Sequence, residues 1–353
     1  MNNFYVIGVM SGTSLDGVDI VYVKFTKDET WSFEIISSKT YKYEKSVAEL
    51  LIDLSKKSID LIKEIDIEYS YELAKIINQF ISQFSIKKID FISSHGHTAI
   101  HSPSNAITYQ IGNLPILSKI INQDVICDFR VQDVELGGQG APLVPVGEKY
   151  LYKEYDSFIN LGAIANISKH AGDNLIAYDI CPVNILLNYF SRKIGKEYDD
   201  KGLIASSGKF IFSLYQELSN LEYYKLDPPK SLGIEWINEK VIPIIIKYVD
   251  NPVEDILNTL SNHIANQISD NLYGVKKVLV TGGGAYNDYL IEIIESKTNC
   301  KIIIPPNDII EFKEALIFAF LGVLRNQNIN NCYSSVTGAS KDHSSGKIYL
   351  SNV

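Results

Sequence analysis

The sequence predicts an α/β protein made of two topologically similar halves. Its 353 residues amount to about two domains at roughly 150 residues each. Three β-type runs followed by alternating helices and strands occur in the first half and again in the second, an order that suits mixed sheets covered by helices. Short glycine-rich connections open both halves and would face a cleft between two such domains.

The first half starts with a strand at 4–9 that ends in the turn MSGTSLDG and re-enters a strand at 18–25. After a break at 27–30, a third β-type run covers 32–43. Helical patterns follow at 47–54 and 71–84. In the latter, Leu73, Ile76, Ile77, Phe80, Ile81 and Phe84 recur at three- and four-residue spacing. A buried-type strand at 88–93, a helix at 114–121 and a strand at 124–129 complete this half.

The second half repeats the order. Residues 158–161 form a strand into a glycine turn, 164–168 and 174–180 are two more strands, and helices begin near Asn184. Residues 252–272 predict one long helix with Pro252 in its first turn, where a missing N–H costs little. A strand at 277–280 ends in TGGG, a helix leads to a strand at 301–304, and 313–325 is the last helix. The segment 133–145 (DVELGGQGAPLVP) is the expected crossing between halves. The expected domains are therefore 1–140 together with 335–353, and 141–334.

Composition narrows the function classes. Hydrophobic residues make up 46% and charged residues 21%, values of an ordinary globular chain rather than a disordered or fibrous one. Thirty-three Lys plus Arg against 42 Asp plus Glu give a net charge of -9, a field that does not attract a phosphate backbone, so no nucleic-acid partner is expected. Cys127, Cys181, Cys300 and Cys332 lie far apart without CxxC spacing, which excludes a zinc ribbon and fits a reducing compartment. The N-terminus has no basic segment followed by a long apolar core, and the apolar run 315–324 is too short for a bilayer. The expected location is the cytoplasm, with no membrane partner.

Several motifs carry chemistry. Gly12, Thr13, Ser14, Leu15, Asp16, Gly17, Val18 and Asp19 form GTSLDGVD, a turn whose N–H groups can wrap phosphate oxygens while Asp16 or Asp19 holds hydrated Mg²⁺. It is not a P-loop, since no Lys follows Gly17, and a plain hairpin turn would use the same residues. Gly282, Gly283 and Gly284 close a strand and let a phosphate or flat ring approach the backbone. Asn160 and Gly162 lie in NLGAIAN, at the place in the second half that GTSLDG holds in the first. These turns together read as a nucleotide clamp.

Asp179 ends a strand in AYDICPVN, where a carboxylate can act as general base or cap the helix near Asn184. His95, His97 and His101 form HGHTAIH, which suits either metal ligation or hydrogen bonding to a polar substrate. Arg130 suits bidentate capture of a carboxylate or phosphate, with an ion pair as the plain alternative. Gln139 sits beside a rigid turn, and Glu314 in the first turn of the last helix suits the macrodipole by itself.

In this order, IGVMSGTSLDGVD, SHGHT, YQIGN, DFRVQDVELGGQGAPLVP, NLGAIANIS, PPKSLG, TGGGAYN, KEALIFAFLG and VTGA resemble the anhydro-N-acetylmuramic acid kinase family nearly end to end. That family belongs with the sugar kinases, Hsp70-type ATPases and actin. The resemblance implies two actin-like (ribonuclease H-like) domains flanking a nucleotide and substrate cleft. It implies use of ATP and Mg²⁺ to open and phosphorylate 1,6-anhydro-N-acetylmuramic acid during cell-wall sugar recycling. The family's base falls at Asp179, its phosphate loop at residues 12–19 and its adenosine shelf at TGGG. His97, Arg130, Gln139 and Glu314 fall in motifs used around the sugar, and a homodimer is the family expectation. Ile180, Cys181 and Val183 stand where the family carries a Thr and two Gly, and this added bulk is expected to bear on sugar selectivity.

Overall fold

Alternating β-branched and aromatic residues before position 42 fold as an antiparallel meander of β1 (Asn2–Ser11), β2 (Val18–Lys27) and β3 (Trp31–Tyr41). The computed structural model describes residues 2–12, 17–171, 174–228 and 230–351. From β3 the chain crosses through the helices Lys45–Leu51 and Ile59–Gln83 to β4 (Phe91–Ser94), which runs parallel to β1. β5 (His97–Ser102) and β6 (Ile107–Ile111) form a separate hairpin, and β7 (Val125–Cys127) then lies parallel to β4.

The helix predicted at 71–84 is the second half of Ile59–Gln83. It starts after Ser58, whose hydroxyl accepts from the Leu61 N–H, and buries Ile62, Ile65, Tyr69, Leu73, Ile77 and Phe80 against the sheet. Asp66 and Ser70 interrupt the apolar period but are buried too. Asp66 accepts hydrogen bonds from the Tyr109 hydroxyl (2.6 Å), the Gly112 N–H (2.6 Å) and the Ser70 hydroxyl (3.3 Å), so a polar residue occupies a core position.

The second half holds another meander, β8 (Ser157–Leu161), β9 (Ile164–Ala171) and β10 (Asn174–Pro182). Short helices and the long helix Val253–Asn271, with Pro252 as its N-cap, lead to β11 (Lys277–Thr281) and β12 (Lys301–Ile303). β11 is parallel to both β8 and β12. The long helix buries Ile256, Leu257, Leu260, Ile264 and Ile268 in this half's core.

A last strand, β13 (Lys347–Tyr349), pairs antiparallel with β7 and was not expected from the sequence. The sheet orders are β13-β7-β4-β1-β2-β3 and β10-β9-β8-β11-β12. Setting β13 aside, both sheets have the order 3-2-1-4-5, with the second strand antiparallel to the rest. This is the ribonuclease H-like arrangement of actin-like domains, present twice.

The chain divides into one unit of Met1–Lys153 with Phe312–Val353 and a second of Glu154–Glu311. The segments 141–153 and 312–334, assigned by sequence to the second domain, thus pack in the first unit. The helix Val144–Leu151 brings Gly147 against Ile317, and its buried Glu148 pairs with Lys313 at 2.8 Å. The helix Asn307–Asn326 packs on β1 so closely that a side chain on Gly8 would strike the Ala315 carbonyl and Ala319. Among the described residues, no helix is long and apolar enough to cross a membrane.

Candidate active site

In the first unit the β1–β2 turn begins at Ser11 and Gly12. Thr13, Ser14, Leu15 and Asp16 lie outside the described residues, and with them half of the phosphate loop and one of the two expected Mg²⁺ ligands. Gly17 closes the turn at φ 153°, and a Cβ there would collide with the Tyr41 carbonyl. Val18 is buried, so its backbone alone could face a ligand. Asp19 is half-buried, and its Oδ1 accepts from the Thr40 hydroxyl at 2.5 Å.

The root of this turn is tied down. The Ser11 hydroxyl lies 2.5 Å from the Tyr43 hydroxyl and 2.9 Å from His97 Nδ1, and Tyr43 continues to the Tyr69 hydroxyl at 2.7 Å. His97 is only 2% exposed, and burial lowers its pKa to about 4, so it stands neutral beside Ser11. Its Nδ1 is engaged by Ser11, so the sugar contact suggested by the sequence would fall to Nε2.

The turn after β4 carries His95, and the turn after β7 carries Arg130. Arg130 donates through Nε to His95 Nε2 at 2.8 Å and through Nη1 to the Gly140 carbonyl at 2.7 Å. Burial lowers the Arg130 pKa, and the nearby negative charge of Glu314 opposes that shift. Glu314 itself is exposed. Gln139 is also exposed, with its N–H held by the Thr337 carbonyl at 2.7 Å. Arg130, Gln139 and Glu314 thus belong to one unit, where folding brings the last helix to the DFR turn.

Within HGHTAIH, His95 Nε2 accepts from Arg130 and His97 Nδ1 faces Ser11, so His95 has no nitrogen left for a metal. Asp133, Cys332 and His343 form a buried group of ligand types. Asp133, however, accepts from the Gly140 N–H and the Thr337 hydroxyl, both at 2.7 Å, and so ties the GGQG and VTGA loops together.

In the second unit a row of residues crosses the sheet. Asp179 on β10 pairs with Asn166 on β9, Asn166 with Asn160 on β8, and Asn160 with Thr281 on β11. Cross-strand partners share a face, so Asp179 and Asn160 lie two strand spacings apart, about 10 Å. Asn166 is exposed in this row and was missed in the sequence, where NLGAIANIS was read only for its turn.

Asp179 is half-buried and well fixed. Its Oδ2 accepts from the Leu232 N–H at 2.9 Å, and its carbonyl accepts from the Tyr223 hydroxyl at 2.7 Å. Its Oδ1 makes no hydrogen bond among the described residues. Burial raises its pKa, only partly offset by the Leu232 N–H. The PPKSLG segment therefore orients this carboxylate, a role the sequence did not show. Pro229 of that segment lies outside the described residues.

The glycine turns of this unit sit on adjacent parallel strands, beyond the carboxyl ends of β8 and β11. A Cβ on Gly282, at φ 82°, would strike Asn160, and one on Gly284 would press on Leu161 at 2.7 Å. Gly162 and Gly283 meet nothing closer than 3.5 Å and 3.7 Å, so packing alone does not demand glycine there. Their open backbone suits close approach by a phosphate. Asn184 braces the same turn, donating to the Leu161 carbonyl at 2.9 Å.

Residues 4–351 match the family model described as anhydro-N-acetylmuramic acid kinase. This chain belongs to that family. It is 32% identical over 364 residues to the anhydro-N-acetylmuramic acid kinase of Francisella tularensis subsp. novicida, covering 95% of each chain. It is 31% identical over 377 residues to that of Bacillus thuringiensis subsp. konkukian, covering 98% of each. Among solved structures, the activator of the 2-hydroxyisocaproyl-CoA dehydratase from Clostridium difficile with bound ADPNP superposes at a TM-score of 0.46. The two are 15% identical, over 92% of this chain and 97% of that one.

Membership in the anhydro-N-acetylmuramic acid kinase family makes the chain a kinase with an alcohol group as acceptor. Ile180, Cys181 and Val183 are all 1% exposed or less and belong to the second unit's core. A bulge in the β9–β10 pairing between Asp179 and Cys181 turns Ile180 inward. The added bulk therefore fills the core behind Asp179 and does not crowd its carboxylate.

Proposed function

We propose that the protein uses ATP and Mg²⁺ to open 1,6-anhydro-N-acetylmuramic acid with water and to phosphorylate its O6, giving N-acetylmuramic acid 6-phosphate. The observation that carries this reading is the end-to-end family match, supported by Asp179, one of whose oxygens is held by the Leu232 N–H while the other makes no hydrogen bond among the described residues. In this reading Asp179 takes a proton from water, whose oxygen bonds to the anomeric carbon. The C1–O6 bond breaks, and O6 attacks the γ-phosphate, which leaves ADP.

Further residues would complete the site. The open backbone at Gly162 and Gly283, with the turns at residues 12–19 and 282–284, would receive the nucleotide. Asp19, paired with Thr40, offers a carboxylate for Mg²⁺ alongside Asp16, and the ion would neutralise phosphate charge. His97, Arg130, Gln139 and Glu314 would bind the sugar. We place this activity in cytoplasmic recycling of cell-wall sugar, in a homodimer.

The test is phosphorus NMR of the protein with Mg-ATP, with and without 1,6-anhydro-N-acetylmuramic acid. The expected result is a sugar 6-phosphate signal that appears only with the sugar. ADP and free phosphate without a sugar ester would overturn the reading. The Asp179→Asn variant should keep ATP binding and lose on the order of 10²–10⁴-fold in turnover. Near-full turnover by that variant would remove Asp179 as the base.

A further inference from the structure

The geometry points to His95 as a positioning residue for sugar recognition, holding the Arg130 guanidinium by accepting its Nε–H and so presenting the free Nη2 edge to the substrate. The inference rests on the kinase reading for the identity of that substrate. The His95–Arg130 pairing itself rests on geometry alone.

The neighbours of His95 fix its tautomer. His95 Nδ1 lies 2.8 Å from the Gly96 carbonyl, which can only accept, so Nδ1 carries the proton. Nε2 is left as a lone pair, and Arg130 Nε donates to it at 2.8 Å. Burial, and after it the charge of Arg130, keeps His95 far below its ordinary pKa, so the ring stays a neutral acceptor.

His95 is in turn fixed on every side. Its N–H donates to the Val9 carbonyl at 3.0 Å, its carbonyl accepts from Asn113 Nδ2 at 3.1 Å, and its ring packs on Phe318 with centroids 4.6 Å apart. At 3% exposure it stands behind Arg130 and acts only through it. Arg130 uses Nε on His95 and Nη1 on Gly140, and Nη2 makes no hydrogen bond among the described residues. A guanidinium fixed by two of its nitrogens loses little freedom on binding, so its remaining donors can meet a carboxylate or hydroxyl in one orientation. Asn113 and Phe318 thereby join the sugar site indirectly.

The test compares His95→Phe, which keeps ring packing without an acceptor, with His95→Gln, whose amide oxygen can take the place of Nε2. His95→Phe should raise the sugar KM about 10- to 100-fold and leave the KM for ATP within about twofold. His95→Gln should recover most of that loss. In an Arg130→Ala background, His95→Phe should change sugar kcat/KM by less than about twofold, because the two residues act as one unit. Full additivity of the two substitutions, or an equal rise in both KM values, would overturn the proposal.

Nitrogen-15 NMR of the wild-type histidine rings gives a readout that needs no turnover. It should show His95 protonated at Nδ1 and bare at Nε2, and a proton on Nε2 would overturn the pairing. A wild-type enzyme that phosphorylates no anhydrosugar would overturn the kinase reading and the sugar half of this proposal. The ring spectrum would then still decide whether His95 holds Arg130.

Discussion

Asp179 shows how one residue's surroundings set both activity and stability. Burial raises its pKa, so the folded protein binds this proton more tightly than the unfolded chain, whose value is near 3.8. The ionised carboxylate therefore costs stability, a cost that sets in as pH rises above the unfolded value and is complete above the folded one. Asp179→Asn should accordingly raise Tm at pH 7 while it lowers turnover, and calorimetry of the two proteins checks the first. The same shift moves the acidic limb of kcat/KM upward from pH 3.8, since the base must be ionised to act. An acidic limb at or below pH 3.8 would contradict the burial argument. The carboxylate itself was legible in the sequence from its place before Pro182. Its anchor, the Leu232 N–H, lies 53 residues away and had no local sign.

At the scale of the element, the turns after parallel strands sort their glycines by what surrounds them. Gly282 combines a backbone that L side chains avoid with a collision against Asn160, so Gly282→Ala should destabilise the protein by about 1–3 kcal/mol. Gly283 has open space instead, so Gly283→Ala should leave Tm nearly unchanged while it weakens ATP binding. Denaturant melts and nucleotide titrations of the two variants separate the effects, and matching losses of stability would refute the distinction. The glycine run was plain in the sequence, but the different jobs of its members were not, because they depend on Asn160 and Leu161 from a neighbouring strand. The helix Ile59–Gln83 was likewise half legible. Its first turns hide behind Asp66 and Ser70, polar residues that become core only once Tyr109 and Gly112 arrive as partners.

At the scale of the molecule, the chain's last segment returns to complete the first unit. Phe318 and Phe320 are buried there against Phe129, Phe25 and Trp31, and Lys313 reaches Glu148 with both side chains nearly inaccessible, at 6% and 2%. Removing Lys313 takes one partner from a buried carboxylate, so Lys313→Met should lower stability, whereas Lys313→Met with Glu148→Leu should recover part of the loss. Chemical denaturation of the single and double variants decides this. A single variant as stable as wild type would show that the pair is solvated. Glu314 neighbours Lys313 on the same helix, so the single substitution should also raise the sugar KM.

Strand and helix periodicity, the doubled order of elements and the glycine turns were determined by the sequence itself, because hydrophobic spacing and turn chemistry act over a few residues. So were the candidate residues Asp179, Arg130 and Glu314, carried by short motifs in a specific order. Only the tertiary structure decided which of them meet. It gave the last helix to the first unit, put His95 behind Arg130, set buried His97 beside Ser11, and turned Ile180, Cys181 and Val183 into the core. Each of these rests on contacts between distant segments, which arise from packing and hydrogen-bond satisfaction that no local pattern encodes.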